Sequence, residues 1–115
     1  MRYLLQCCFD EKRWEAIPES QRDQIMRAYG EFLQSLDKGG QHLASAKLRS
    51  SSSATTVRSK EGKLVVTDGP FAETKEQLGG YHLIECRDLD EALSIAKRIP
   101  TIPFGGAVEV RPLEA

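Results

Sequence analysis

The sequence lacks both a long hydrophobic run and an excess of charge of one sign. Its apolar stretches are only a few residues long, whereas a helix that crosses a bilayer needs about 20, so no membrane association is expected. The chain also opens without the basic and then apolar segments of an export signal, which predicts a cytoplasmic protein. Sixteen lysines and arginines face 17 aspartates and glutamates. This balance lacks the basic excess of nucleic-acid-binding proteins, and no nucleic-acid partner is expected.

Cysteine is scarce, and its spacing fits no metal or redox motif. The three cysteines are Cys7, Cys8 and Cys86, without the C-x-x-C spacing of such sites. Cys7 and Cys8 are adjacent, so in a strand their side chains point to opposite faces and cannot readily share a ligand. We interpret all three as reduced, small apolar side chains. Phosphate-binding loops, zinc clusters and nucleophile elbows are also missing from the sequence, and we expect neither a cofactor nor a metal.

What remains is the composition of an ordinary globular protein. The chain has 115 residues, of which 40% are hydrophobic and 29% are charged. This length fits one domain over residues 1–115. Folding at this size buries about two-thirds of the unfolded surface, which is enough for stability without a disulfide or a metal.

Hydrophobic periodicity predicts six strands and two helices. Alternating apolar residues predict strands over residues 1–9, 43–49, 54–59, 63–67, 79–86 and 107–111, and apolar residues at helical spacing predict helices over residues 20–37 and 89–99. Glu61 and Gly62 supply the tight turn of a hairpin between the third and fourth strands. Asp88 is the expected N-cap of the second helix.

This order of elements predicts an α+β protein with a ferredoxin-like sheet. Two β-α-β units with a hairpin between them form an antiparallel sheet that carries two helices on one face. The other face also holds apolar side chains, namely Leu4, Cys8 and either Leu83 or Ile84. A second copy packed sheet against sheet would cover them. We therefore expect a homodimer with a closed or nearly closed α+β barrel between the subunits.

Several motifs occur in order along the chain. The segment VTDGPFAETKEQLGGYHLIE contains DGPF at residues 68–71, ETKE at residues 73–76 and GGY at residues 79–81, and it is followed by DLDEA at residues 88–92 and VEVRP at residues 108–112. With these motifs the chain resembles the DGPF group of the YCII-related superfamily over nearly its whole length. The resemblance implies a dimeric ferredoxin-like α+β barrel. Some members of the group lie beside or are fused to extracytoplasmic-function sigma factors, which makes a sigma factor a candidate partner.

The resemblance implies less about activity. Other branches of the superfamily carry a His–Asp pair proposed for acid/base chemistry, with the histidine in the first helix, and one branch acts as a dehydrochlorinase on a chlorinated hydroquinone. The first predicted helix here contains no histidine. Asp37 corresponds to the aspartate of that pair, but the sequence shows no partner for it. His42, which follows the helix in a glycine-flanked loop, is expected to be solvent-exposed and is assigned no role.

Three residues are candidates for acid/base chemistry. Asp68 lies at a strand end beside a rigid Gly-Pro corner, where a carboxylate can face a cleft and act as a base; the alternative is an Asx-turn that satisfies the local backbone. His82 is a natural proton carrier if it faces a cavity between the sheets, and otherwise a satisfied interior or interface residue. Glu73 is placed to share a proton with Asp68.

The candidate ligand-binding residues are Lys75, as a contact for an anion, and Tyr81. The dense charges around Lys75, beside a rigid turn, slightly favour a site; the alternatives are a solvated loop face and a contact to a partner subunit. A second basic segment, formed by Lys47, Arg49, Arg58, Lys60 and Lys63, either steers an anionic ligand or protects the edges of the hairpin from aggregation. The second interpretation is favoured.

Two functions follow from the sequence. In the first, the protein binds a small molecule in a cavity near the DGPF turn and acts on it by acid/base chemistry, as a lyase or hydrolase would. Asp68 is then the base or orienting group, with His82 or Glu73 as its proton partner. In the second, the protein is a regulatory module that binds another protein, for example a sigma factor, and the DGPF segment is a structural corner.

Overall fold

The computed structural model describes residues 1–114 and contains one four-stranded antiparallel sheet, one separate hairpin and three helices. In chain order the elements are β1 (Arg2–Asp10), α1 (Glu11–Ala16), α2 (Glu19–Lys38), β2 (His42–Lys47), β3 (Thr55–Lys60), β4 (Lys63–Asp68), β5 (Glu76–Glu85), α3 (Leu89–Ala96) and β6 (Ala107–Pro112). Short 3₁₀ turns lie at Ser51–Ser53 and Ile102–Phe104.

The main sheet has the strand order β2-β5-β1-β6, with every neighbouring pair antiparallel. Strands β1 and β2 therefore run parallel on either side of β5, and β5 and β6 run parallel on either side of β1. This interleaving of two β-α-β units is the ferredoxin-like topology, and the predicted α+β fold is confirmed. The sheet stays open at β2 and β6, and within residues 1–114 the strands do not close into a barrel.

The core lies between one sheet face and helices α2 and α3. Apolar residues of α2 recur at helical spacing. They pack on one face of the sheet, to which every second side chain of β1 and β5 points. The buried residues of this core include Tyr3, Leu5, Phe32, Leu36, Ile84, Ile95 and Ile99. Side chains alternate between the two faces along β5, so His82 lies on the same face as Ile84.

The opposite face of the sheet is also partly apolar. Leu4 of β1 pairs with Leu83 of β5, and Gln6 pairs with Tyr81. These side chains are half-buried within one chain. The two-sided apolarity predicted for the sheet is therefore present, with Leu83 rather than Ile84 on the face that the helices leave uncovered.

The predicted hairpin of β3 and β4 is present, and it forms a two-stranded sheet separate from the main sheet. Glu61 and Gly62 both adopt positive φ, 52° and 80°, the backbone that a two-residue hairpin turn requires. Val57 pairs with Val66, and Leu64 lies on the same face because β4 alternates. These side chains are largely exposed, Leu64 by 80% and Val66 by 66%. An isolated two-stranded hairpin is only marginally stable in water.

Helix α1 was not expected from the sequence. It is six residues long and has no buried residue, so it shows no apolar periodicity. It forms because the Asp10 carboxylate accepts hydrogen bonds from the backbone N–H groups of Lys12 and Arg13, which caps its first turn. The two predicted helices, α2 and α3, are the ones that supply the core on the sheet face, and α1 is an additional helix that the sequence did not predict.

The predicted boundaries agree within two residues except at β5 and α3, where they differ by three. Strand β5 begins at Glu76 rather than at residue 79, because residues 76–78 pair with the end of β1. Helix α3 ends at Ala96 rather than at residue 99, and its N-cap is Asp88 as predicted, whose side chain accepts from the Glu91 backbone N–H at 2.9 Å. Within the part of the chain described, every helix is too short or too polar to cross a membrane.

Candidate functional site

A cavity of about 730 Å³ opens between the sheet and the helices α1 and α2. This volume lies within the range of about 300–1,000 Å³ that is usual for small-molecule sites. Most of its wall is apolar or aromatic. The residues that the site uses are Cys7, Trp14, Tyr29, Leu33, Ser45 and His82.

A continuous chain of hydrogen bonds leads from the end of α2 to the wall of the cavity, which Ser45 and His82 line. The Oδ1 atom of Asp37, at the end of α2, lies 2.6 Å from Nδ1 of His42 at the start of β2. Nε2 of His42 lies 2.6 Å from Oγ of Ser45, and Ser45 Oγ lies 2.6 Å from Nδ1 of His82. The last contact is set by strand register, because Ser45 of β2 and His82 of β5 are direct partners in the sheet.

Burial increases along this chain of hydrogen bonds. The Asp37 side chain is 64% exposed and the His42 side chain 19%, whereas His82 is 5% exposed. The rings of Tyr29 and Phe32 pack against the His82 ring at centroid distances of 5.8 and 5.5 Å. The four polar groups therefore connect solvent with the cavity.

Burial, and to a smaller extent the electrostatic interaction with the neighbouring His42, lower the pKa of His82 to about 4. Removal from water disfavours the charged imidazolium. His82 is consequently neutral at pH 7, with one ring nitrogen protonated and the other carrying a lone pair. A neutral imidazole in an apolar cavity can both accept and donate hydrogen bonds.

Tyr29 and Cys7 form a second polar pair in the cavity wall. The Tyr29 hydroxyl lies 3.7 Å from Sγ of Cys7. Burial raises the pKa of the Tyr29 phenol, and the neighbouring Cys7 raises it further. Burial also raises the pKa of the Cys7 thiol. Both groups therefore stay neutral at physiological pH, and the inner wall of the cavity carries no charge.

The rim of the cavity is charged. Lys47 and Arg49 are among its lining residues, and Nζ of Lys47 lies 5.7 Å from the centre of the Trp14 ring. Glu11 is hydrogen-bonded to the loop that follows β2. Its carboxylate accepts from the Ser50 hydroxyl at 2.7 Å and from the Ser51 N–H at 2.9 Å. Part of the basic segment thus lies at the cavity, while its remaining members lie on the hairpin.

The GGY motif brings β2 close to β5 beside the cavity. A Cβ atom at Gly80 would lie 2.9 Å from the carbonyl oxygen of Ala46, so only glycine fits without a shift of the strands. The register of β1 and β5 shifts at Cys7 and Cys8, where Gly79 is bulged out of the pairing. Such a bulge bends a strand and redirects its side chains, here at the cavity wall.

Of the five residues predicted for the site, only His82 lines this cavity. Glu73 and Lys75 line a second hollow of about 750 Å³ together with Gly69 and Pro70 of the DGPF turn. The two hollows are neighbours, because Glu11, Glu15, Ser50 and Gln77 line both.

Asp68 and Tyr81 line neither hollow. Tyr81 lies on the opposite face of the sheet from His82, as strand alternation requires. Asp68 is exposed at the end of β4, on the hairpin face that carries Val66. Within residues 1–114 its carboxylate makes no hydrogen bond, so the predicted Asx-turn is not formed; the corner is tied instead by backbone and Thr56 contacts to Gly69.

Sequence reasoning missed His42 and Ser45. The prediction that His42 is solvent-exposed is wrong, because its ring is bonded on both nitrogens and mostly covered. Asp37 also has a partner, which lies beyond the helix rather than within it. The only local signal was the spacing of five residues between Asp37 and His42 across the Gly39–Gly40 turn.

The arrangement supplies proton-transfer groups rather than a metal-binding set. Among residues 1–114, the structure brings together no three His, Cys, Asp or Glu side chains that would hold a metal ion. The polar groups around His82 in the cavity wall are instead an imidazole, hydroxyls and a thiol, and the charged side chains lie at the rim. These groups can orient a ligand by hydrogen bonds and can move a proton.

The fold and the cavity together define a class of small α+β protein with ferredoxin-like topology and a buried histidine between sheet and helices. The family model of the YCII-related domain matches residues 1–114. The chain belongs to the YCII-related family, which confirms the resemblance seen in its motifs. It is also similar to an uncharacterised protein of Rhizobium meliloti (strain 1021), with 39% identity over 114 residues that cover 98% of this chain and 92% of the relative.

Proposed function

We propose that the cavity beside His82 binds a small organic molecule and that side chains of this protein perform acid/base chemistry on it, as in a lyase or a hydrolase. The observation that carries this proposal is the position of His82, which is buried, neutral at pH 7 and hydrogen-bonded through Nδ1 while it lines an apolar cavity. Imidazole is the commonest side chain for such proton transfer.

The lining favours a ligand with an apolar ring and one anionic group. Trp14 and Tyr29 offer aromatic surfaces inside the cavity, and Lys47 and Arg49 place positive charge at its rim. A ligand bound with its anionic end at these cations directs its apolar part towards His82. Charge at the mouth of a cleft also raises the local concentration of an anionic ligand.

The remaining predicted site residues take other places in this proposal. Lys75 and Glu73 border the neighbouring hollow, where Lys75 contacts the anionic part of a ligand that extends past Glu11. Asp68 takes no part in proton transfer, because it lies outside both hollows. Tyr81 does not contact the ligand, since it lies on the other face of the sheet.

The protein is proposed to act as a homodimer. The uncovered sheet face carries Leu4 and Leu83, and the hairpin presents Val57, Leu64 and Val66 to solvent. Contiguous exposed apolar side chains of this kind mark interaction surfaces. A second copy packed on the sheet covers both sets, and β-strands of the two copies then form the expected α+β barrel.

The alternative function is that of a module that binds another protein, such as a sigma factor. This alternative also rests on the exposed apolar face of the hairpin. In this case a different protein, rather than a second copy of this chain, covers that face. The two functions make opposite demands on the cavity. A binding module needs no ligand beside His82, whereas the proposed acid/base function depends on one.

The ligand-binding test uses Trp14, the only tryptophan of the chain, which lines the cavity. A collection of small aromatic carboxylates is titrated against the protein, and Trp14 emission and thermal unfolding are recorded together. Binding in the cavity changes the emission and raises the melting temperature, because a ligand that binds only the folded state stabilises it.

A blocking variant and a matched control locate the binding. Leu33→Phe adds bulk to the cavity wall and is expected to weaken binding at least tenfold, whereas Leu93→Phe makes the same change on α3, away from the cavity. Equal affinity in both variants, or no change of Trp14 emission with any of these compounds, contradicts the proposal and favours the binding-module function.

A further inference from the structure

The hydrogen bonds of the wall fix the positions of their protons. When His42 is neutral, the Asp37 carboxylate can only accept, so Nδ1 of His42 donates to it and Nε2 of His42 carries a lone pair. The Ser45 hydroxyl then donates to His42 Nε2 and accepts from Nδ1–H of His82. It follows that His82 carries its proton on Nδ1 and its lone pair on Nε2, the nitrogen that does not face Ser45.

We infer that the protonation state of His42 sets whether His82 accepts or donates a proton in the cavity, through the hydroxyl of Ser45. When His42 is protonated, its Nε2–H donates to Ser45 and the hydroxyl turns round to donate to Nδ1 of His82. The Ser45 proton keeps a hydrogen-bond partner on this path only if Nδ1 of His82 gives up its proton and Nε2 carries one. This inference rests on the proposed function, because it assigns the control of the same site.

The same contacts provide a balanced path for a proton taken from a ligand. The ligand gives its proton to His82 Nε2, His82 passes its Nδ1 proton to Ser45, and the Ser45 proton moves to Nε2 of His42. The bonds formed and broken leave His82 and Ser45 neutral, the ligand as an anion and His42 as an imidazolium beside the Asp37 carboxylate. The positive charge thus ends on His42, which is less buried than His82 and lies 2.6 Å from the Asp37 carboxylate, so it costs less there than on His82.

Among the titratable groups around this path, His42 is the one whose protonation reverses the hydrogen bonds to Ser45 and His82. Besides His42 and His82, the titratable side chains in contact with this path are Asp37, bonded to His42, and Tyr29, stacked on His82, and Cys7 of β1 in turn contacts Tyr29. The raised pKa values of Tyr29 and Cys7 keep both groups neutral between pH 5 and 8. The low pKa of His82 keeps this ring uncharged over most of the range in which an ordinary imidazole titrates.

The test is nitrogen NMR of the protein labelled with ¹⁵N in its histidine rings, which gives four signals because the chain has only two histidines. At pH 8 we expect His82 as the Nδ1–H form. As the pH falls and His42 takes up a proton, His82 should change to the Nε2–H form over the same pH interval. Ser45→Thr keeps the hydroxyl and should preserve this coupling, and Ser59→Ala on the hairpin is the control for an unrelated serine.

Ser45→Ala removes the link, so the His82 tautomer should no longer follow the titration of His42. His42→Gln is the second variant; it removes the titrating ring, and His82 should then keep one tautomer until it is itself protonated. The inference is overturned if wild-type His82 is already Nε2–H at pH 8, if it keeps one form while His42 titrates, or if either variant retains the change of tautomer. The measurement needs no ligand, so its failure is distinct from a failure of the ligand-binding test.

Discussion

Ser45 and His82 lie directly opposite each other on neighbouring strands, and Oγ of Ser45 is 2.6 Å from Nδ1 of His82. This contact holds the ring of a buried histidine in one orientation. A shift of the register by one residue would bring Ala44 or Ala46 opposite His82 and leave Nδ1 without a partner. The pairing of β2 with β5 therefore shapes the site as well as the sheet.

The low pKa of His82 predicts a loss of stability in mild acid. The unfolded chain binds a proton near pH 6.5 and the folded chain only near pH 4, so this contribution is fully present above pH 6.5 and is lost as the pH falls to 4. The difference between these two pKa values corresponds to about 3 kcal/mol in the free energy of unfolding. Urea unfolding at pH 7 and pH 4.5 should show that His82→Gln loses less stability between the two pH values than the wild type.

His42→Gln is the matched control for this experiment, because it removes the other histidine and leaves the burial of His82 in place. It should retain most of the acid sensitivity. Equal acid sensitivity of His82→Gln and the wild type would show that His82 is not buried and neutral in the folded protein.

Gly80 is predicted to be required for the close approach of β5 to β2. Gly80→Ala places a methyl group 2.9 Å from the Ala46 carbonyl oxygen, and the strain should destabilise the protein by about 1–3 kcal/mol. Gly30→Ala is the control, since nothing lies within 4 Å of a Cβ atom there. In the middle of α2 it should stabilise by about 0.5–1 kcal/mol. Thermal unfolding of both variants measures these changes in stability. If Gly80→Ala is as stable as the wild type, the close approach of β5 to β2 at Gly80 is contradicted.

The exposed face of the hairpin is predicted to lie in the homodimer interface. Val66→Asp places a carboxylate among apolar side chains, and a cost of about 3 kcal/mol for burying it would weaken the dimer roughly 100-fold. Thr67→Asp puts the same charge on the other face of the hairpin and should leave the dimer intact. Light scattering over a concentration series compares them. A wild-type monomer at micromolar concentration would exclude the homodimer.

Asp68 is predicted to be dispensable for ligand binding. Asp68→Asn changes an exposed side chain without a hydrogen bond, so the free energy of unfolding should stay within about 0.5 kcal/mol of the wild type. Affinities measured by Trp14 emission should also be unchanged, whereas His82→Gln should lower them. A tenfold loss of affinity in Asp68→Asn would place this carboxylate in the site after all.

Much of the fold could be predicted from the sequence because it rests on periodicity. The stripe of α2 and the alternation in β1 and β5 depend on local spacing, and the Glu61–Gly62 turn depends on backbone preference. Helix α1 could not be predicted, because a six-residue helix with no buried side chain has no periodic pattern. Its formation depends on a cap from Asp10.

The site was less predictable because it joins residues that are distant in the sequence. Alternation in β5 places His82 on the same face as Ile84, but the sequence does not give the register of β2 with β5, which shifts between His42 and Ala44. That register brings Ser45 to His82. Asp68 attracted attention through its turn motif, and the turn lies beside the second hollow while the carboxylate points elsewhere.

The most direct test of the account is a crystal structure of the protein soaked with the small aromatic carboxylates that change Trp14 emission. We predict that a compound lies in the cavity between the sheet and α2, with a polar atom within hydrogen-bond distance of Nε2 of His82 and its carboxylate towards Lys47 or Arg49. Compounds bound only at the DGPF turn or on the uncovered sheet face, with the His82 cavity empty, would contradict it.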